Sequence, residues 1–463
     1  MTDRTKSISK GLVMVIAGMS SFLTPFTGSS VNIALPSIGR ELSLDAVALS
    51  WVATTYLLAA AVFLVPFGRI ADIYGRKRVF LVGMIIDATA SILCAVSGSG
   101  TWLIVFRAMQ GLGGAMIFGT GIAILTSVFP ANERGKALGV NVAAVYAGLS
   151  MGPVIGGSLT EHLGWRSIFL LNALLGLTVI VAVLWKLKRE WAGARGEKFD
   201  YTGAVIYSVT LVTIVSGFSL LPALSGMGLI LIGILGLVAF IRWEVRQEYP
   251  VLNIAFFRGN TVFRLSNLAA LINYSATYAV AFLLSLYLQY IKGFSPEYAG
   301  LILVAQPVVM VICSPIAGSL SDRIEPRIVA SLGMAVTAGG LVLLAFLGSD
   351  TGLAFVLISL AILGLGFGFF SSPNTNAVMS SVDKRFYGVA SGMLGTMRLT
   401  GQMFSMGMTL LLFALYIGRV PITPEYYPLF LASMRTAFII SAALCFGGIF
   451  ASIARGKTRG SIP

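Results

Sequence analysis

A chain of 463 residues with 57% hydrophobic residues, 11% charged residues and a mean hydropathy of +0.90 is too apolar for a soluble globular protein. Its formal net charge of +14 would suggest nucleic acid if the chain were soluble, so the placement of the charges has to decide. The three cysteines, Cys94, Cys313 and Cys445, are odd in number and lie in apolar stretches, which excludes a disulfide framework and leaves an all-α polytopic membrane protein.

Counting about 20 apolar residues per bilayer crossing, the chain reads as fourteen spans, at roughly 11–35, 50–68, 79–97, 101–128, 136–158, 166–186, 201–221, 226–243, 265–290, 299–320, 328–347, 352–372, 387–417 and 432–453. The first follows Arg4, Lys6 and Lys10, is longer than a signal-peptide core and has no small-residue cleavage site, so it is expected to remain. An even count puts both termini on one side. Of the 32 Lys and Arg, 25 then fall in segments assigned to the inside, five outside and two within spans, as the positive-inside rule requires. The basic excess therefore encodes topology, and no nucleic-acid partner is expected.

Residues 68–78, Gly-Arg-Ile-Ala-Asp-Ile-Tyr-Gly-Arg-Lys-Arg, form a charged hinge between two apolar runs, and a weaker copy, Gly318 to Arg323, follows another run some 250 residues later. Such a repeat is what an internally duplicated membrane protein shows. In each copy a helix is expected to pack tightly through its glycine and to end in an acid, Asp72 or Asp322, just outside the membrane; a solvated basic turn is the alternative. The expected domains are a first six-helix bundle (1–190), a linker with two additional spans (191–260) and a second six-helix bundle (261–463). The middle segment lacks any copy of the hinge and reads as an insertion.

Span 4 carries Arg107, Gln110, Gly111, Gly113 and Gly114. A charge at the bilayer centre costs about 2.5–3.5 kcal/mol on insertion scales, so Arg107 either faces the bundle interior or a wet cavity, or snorkels to the headgroups about 9 Å away. In span 5, Gly148, Gly152 and Gly156 recur at i, i+4 and i+8, with Pro153 and Gly157 beside them. That makes a flat face on which another helix can lie. Asp87 is the only acid deep within a span, and either titrates there or makes a structural polar contact. His162, the only histidine, is expected in an outer loop, and Gly364, Gly366 and Gly368 are expected to pack helices, since no strand precedes them.

These motifs together resemble the major facilitator superfamily, and the resemblance extends over nearly the whole chain to its fourteen-helix drug-efflux branch. Asn32-Ile-Ala-Leu-Pro36, Trp165-Arg166 with Phe169 and Asn172, Phe199-Asp200, Tyr287-Leu-Gln289, Ser295-Pro296 with Gly300, and Gly392 with Arg398 and Gly401 carry it. The resemblance implies two six-helix bundles plus two inserted spans, alternating access around a midplane cavity, and export of amphipathic small molecules in exchange for protons. An importer or lipid or metabolite translocator of the same fold, and a non-transporting sensor, are the alternatives. It further implies a gating hinge at Gly68, Asp72, Gly75, Arg76, Asp322 and Arg323. Coupling and cavity roles fall to Asp87, Arg107, Gln110, Arg398 and Asn32, and an antiporter motif to Gly148, Gly152, Pro153, Gly156 and Gly157.

One departure bears on the substrate. Members usually place an acid five positions before the span 1 asparagine, where this chain has Thr27. With Arg107 and Arg398 expected in the cavity and at most one acid to offset them, neutral, zwitterionic or anionic amphiphiles are favoured over cations. The other expected partners are protons and the bilayer of the cell membrane. The chain should be a monomer with cytoplasmic termini, without metal, cofactor or enzymatic activity, because one histidine and scattered acids offer no catalytic constellation.

Overall fold

The computed structural model describes residues 10–129, 133–187, 189–252, 259–382 and 387–456, and within these the side chains of 134–136, 138, 322, 387 and 388 are left undescribed. Among the described residues, fourteen helices are long and apolar enough to cross a bilayer. Spans 1 to 7 are Lys10–Glu41, Ala46–Tyr74, Arg76–Ala95, Gly100–Val128, Gly139–His162, Arg166–Lys186 and Tyr201–Leu220. Spans 8 to 14 are Leu224–Glu244, Thr261–Ile291, Pro296–Ser321, Pro326–Leu344, Leu353–Ser380, Val389–Tyr416 and Pro424–Ala454.

The polar residues between apolar runs start the helices. Asp45, Asp200, Asn260 and Ser295 each accept a hydrogen bond from the backbone N–H three residues ahead, satisfying a donor that a helix N-terminus leaves open. Several helices outrun the apolar stretches. Span 1 continues past Pro36 to Glu41, and span 2 continues through Asp72 to Tyr74, because an i to i−4 ladder need not stop where the hydrocarbon does. The charged hinge is therefore mostly helix, broken only at Gly75, whose φ of +127° suits glycine and few other residues.

Spans 1 to 6 pack among themselves through the pairs 1–5, 2–4, 3–4 and 3–6, and spans 9 to 14 through 9–13, 9–14, 10–12, 11–12 and 11–14. The two sets meet along the pairs 5–10, 2–13 and 1–9. Span 8 packs on span 7, which lies against both span 2 and span 13. Of the most apolar stretch of span 2, 83% is buried, against 17% for span 8, so span 2 is core and span 8 turns Leu231, Ile232, Ile234 and Leu235 to lipid. Residues 10 and 456 lie on one face, called the terminal face below; the opposite one is the distal face.

Candidate functional site: a central cavity, its seal and its polar core

The glycines of span 5 do two different jobs. A Cβ on Gly148 would meet Phe22 O at 2.5 Å and Phe26 N at 3.1 Å, and one on Gly156 would meet Ser30 Cβ at 2.6 Å, so these two and Gly152 let span 1 lie directly on span 5. Ser30 Oγ fixes that contact by donating to Gly152 O at 2.9 Å. Gly157 points elsewhere: its Cβ would stand 2.5 Å from Pro296 O of span 10, while Gly300 of span 10 approaches Pro153 O. Pro153 itself stays within the helix.

That second contact belongs to a seal across the distal face. Glu297 N donates to Glu161 at 3.0 Å, and His162 lies 3.3 Å from Glu297. The histidine expected in a loop is thus the last residue of span 5. On the other flank Ser285 Oγ donates to Asn32 O at 2.7 Å, Gln289 Nε2 to Ile33 O at 2.8 Å, and Ala46 N to Val420 O at 2.9 Å. The terminal face is open by comparison. A vestibule of about 780 Å³ separates the sets there, lined by Gly68, Arg69, Asp72, Arg76, Glu197, Glu248 and the start of span 13.

Between seal and vestibule lies a central cavity of about 160 Å³. Asn32, Tyr56, Phe118, Tyr274, Tyr278, Phe367, Gln306, Gln402 and Arg398 are among its walls, and no Asp or Glu is among the described residues that line it. Arg398 and Asn32 therefore sit where the sequence placed them. Arg107 does not line the cavity. It is 1% exposed, donates to Val52 O at 3.1 Å and to Gln110 Oε1, and its guanidinium lies 4.4 Å from the Tyr56 ring centroid. It reaches the cavity wall only through Tyr56, and it does not snorkel, because backbone acceptors and a ring face lie closer than the headgroups.

Arg107 belongs to a polar core inside the first set. Gln110 Nε2 donates to Ser91 Oγ at 2.8 Å, and Asn172 Nδ2 donates to Ser91 Oγ at 2.8 Å and to Asp87 Oδ2 at 3.0 Å. Thr27 Oγ1 donates to Asn172 Oδ1 at 2.6 Å. Glycine again permits the approach: a Cβ on Gly113 would stand 2.7 Å from Asp87 N. Asp87 is 6% exposed and has no salt-bridge partner among the described residues. Thr27 is 2% exposed and faces this network, so the position expected to set the cavity's charge meets Asn172 instead; its neighbours Thr24 and Gly28 line the cavity.

The hinge is held differently from expectation. Arg76 Nε donates to Asp72 Oδ1 at 2.8 Å, and its Nη1 donates to Ser127 Oγ at 2.6 Å and Ala123 O at 3.1 Å of span 4. The N-terminus of span 3 is capped by Glu190 of the span 6–7 connection, which accepts from Lys77 N at 2.8 Å and stands against Gly75. Backbone bonds from Arg76 N to Trp191 O (2.8 Å) and Ala194 N to Asp72 O (2.9 Å), with an ion pair between Arg69 and Glu197, tie that connection across the hinge. A Cβ on Gly68 would meet nothing within 4 Å, because it points to the vestibule, although the Gly68 Cα lies 3.7 Å from the Cβ position of Gly119 in span 4. In the second copy Gly318 does pack, its Cβ position lying 2.8 Å from Ser372 Oγ. Arg323 ends that helix exposed, and the side chain of Asp322 lies outside the described residues. Residues the motifs did not single out, Glu190 at the hinge and Tyr56, Phe118 and Tyr274 in the cavity, carry no sequence signal beyond being polar or aromatic.

Comparison with known proteins agrees with this architecture. The family model described as Major Facilitator Superfamily matches residues 17–257 and 266–460. The chain is 30% identical over 449 residues to the riboflavin transporter RibZ of Clostridioides difficile, covering 96% of this chain and 97% of that protein. It is 30% identical to the multidrug resistance protein Stp of Mycobacterium tuberculosis (84% of this chain, 73% of that one). It is 31% identical to the tetracenomycin C resistance and export protein of Streptomyces glaucescens (78% and 68%). Among solved structures, a POT family transporter aligns over 95% of this chain and 94% of its own with a TM-score of 0.72 at 13% identity. A bacterial homologue of the lysosomal transporter Spinster, inward-facing and unoccupied, aligns over 96% of each chain with a TM-score of 0.65 at 16% identity. With the family matched from end to end and multidrug exporters among its relatives, this chain belongs to the Major Facilitator Superfamily, in the fourteen-span drug-efflux branch.

Proposed function

We propose that this protein exports amphipathic small molecules across the cell membrane in exchange for protons, with the terminal face cytoplasmic and the molecule poised to load from that side. The observation that carries the reading is the asymmetry of the path: a cavity at mid-depth, sealed by hydrogen bonds and glycine contacts distally and parted only by Phe118 from a vestibule at the terminal face. The placement of 25 of 32 basic residues supports the orientation. Relatives named for multidrug resistance and for tetracenomycin C export support the direction. Proton coupling is assigned to Asp87, a buried acid with no salt-bridge partner among the described residues, whose oxygen is held by Asn172. The substrate is neutral, zwitterionic or anionic, because the described residues of the cavity wall include one base, Arg398, and no acid.

Metabolite transport by the same cycle is the second reading, favoured by the riboflavin transporter, which aligns with almost the whole chain. Reconstitution into vesicles with an imposed pH gradient separates the readings. Gradient-driven accumulation of a neutral or anionic dye on the distal side, lost in Asp87→Asn with binding retained, is expected for proton-coupled export. Accumulation on the terminal side, or gradient-driven export unimpaired in Asp87→Asn, would overturn the direction or the coupling assignment respectively.

A further inference from the structure

The central cavity and the vestibule share one lining residue among those described, Phe118 of span 4. The edge of its ring lies over Gly395 of span 13, where a Cβ would stand 3.1 Å from Phe118 Cε1. Span 4 belongs to one six-helix set and span 13 to the other, so this contact bridges the sets at the neck between a space of about 160 Å³ and one of about 780 Å³. On the cavity side the Arg398 guanidinium carbon is 6.0 Å from the Phe118 ring centroid and 5.4 Å from that of Tyr274. Tyr274 in turn meets Phe367 edge-on at 5.4 Å. Among the described residues the guanidinium forms no hydrogen bond or ion pair, so these ring faces are what hold it.

We propose that Phe118, seated on Gly395, is the door between vestibule and substrate cavity, and that Arg398 is its latch. A carboxylate or sulfonate entering the cavity offers the guanidinium a charge-assisted hydrogen bond, which is stronger than its attraction to a ring face. Arg398 then leaves the Phe118 ring, and the ring is free to swing from the glycine seat. Charge selection and gate opening thereby fall to one residue, and anions open the path more readily than neutral molecules of the same size. The latch rests on the reading that substrate occupies the central cavity; the door does not.

The test is the rate at which a maleimide modifies an Ala281→Cys reporter in the cavity wall, in purified full-length protein carrying Cys313→Ser. With no substrate present, Phe118→Ala should raise the rate about tenfold or more, and Gly395→Ala, which pushes the ring off its seat, should raise it by a smaller factor. The milder Phe118→Leu guards against a misfolded alanine variant and should fall between wild type and Phe118→Ala. Rates unchanged in both Phe118 variants would overturn the door, whatever the transport assays show. For the latch, Arg398→Ala should raise the rate, and combining it with Phe118→Ala should add little. Millimolar benzenesulfonate should speed labelling in the wild type and not in Arg398→Ala. Multiplicative effects of the two substitutions, or labelling that benzenesulfonate leaves unchanged or slows, would overturn the latch and leave the door standing.

Discussion

Gly157→Ala tests whether the distal seal is what holds the molecule open toward its termini. The new methyl would sit 2.5 Å from Pro296 O and 3.0 Å from Glu297 Cα, both across the boundary between the helix sets. Ordinary contacts there need roughly 3.4 Å or more, so spans 5 and 10 must part by up to about an ångström. Overpacking of that size costs about 1–3 kcal/mol. The cost falls only on the sealed state, because the contact vanishes once the distal face opens, and the equilibrium should move about 5- to 150-fold toward a distally open form. Spin labels on Thr101→Cys and Glu425→Cys, both exposed at the distal face on opposite sets, read this directly as a longer-distance population. Gly148→Ala is the control. It crowds span 1, which lies within the same set, so it should lower thermal stability without lengthening the distance. An unchanged distance distribution in Gly157→Ala, or equal lengthening in Gly148→Ala, would refute the assignment of the seal to the span 5–10 contact.

Thr27→Asp should restore proton-driven transport to Asp87→Asn, since position 27 meets Asn172 Oδ1 and the amide, freed of the Asp87 carboxylate, can turn to offer Nδ2 to the new one; a double variant as inactive as Asp87→Asn in the vesicle assay would show that the acid works only from span 3. Glu190→Ala removes the cap on span 3, and a loss of about 1 kcal/mol is expected, visible as a lower Tm, whereas an unchanged Tm would mean that water replaces the carboxylate. Burial, and secondarily Arg327, pulls Arg455 down to about 10, yet it stays charged at neutral pH and donates to Ser266 Oγ, Asn374 Oδ1, Pro326 O and Ser452 Oγ. Arg455→Met should lower Tm by several degrees because these acceptors lose their donor, and an unchanged or higher Tm would show that the buried charge costs as much as its bonds return.

The sequence made the fold readable because bilayer insertion writes its demands in composition: apolar runs of fixed length, basic residues on alternate connections and glycines wherever two helices touch. The span 5 motif also showed that it would make a flat face, but not that Gly157 leaves that face for span 10, since the partner depends on how two distant segments meet. Arg107 illustrates the limit most clearly. Its cost in lipid implied burial in protein or reach to the headgroups, and the structure buries it behind Tyr56, a choice made by backbone oxygens and a ring face that no spacing rule encodes. The hinge glycine Gly68 shows a related limit: its Cα lies near Gly119, but its open side faces a vestibule that only the meeting of distant segments creates.

Span 7 has a consequence for the way the halves can move. Tyr207 donates to Ala61 O of span 2 at 3.0 Å and its hydroxyl also bonds Thr400 of span 13, while the rest of the span 13 contact is apolar, made with Leu399 and Met403 and by the Phe218 ring lying over Gly407. Held to both sets through one hydroxyl and otherwise by apolar surface, it can follow small movements of either, as a gasket stays seated between two plates. The cleft between spans 2 and 13 then stays shut to lipid through the stroke, whereas the cleft on the span 5–10 side has no such cover among the described residues. A lipid-dissolved molecule entering sideways would find only that second flank open, so the two inserted helices give an otherwise two-fold machine a front and a back.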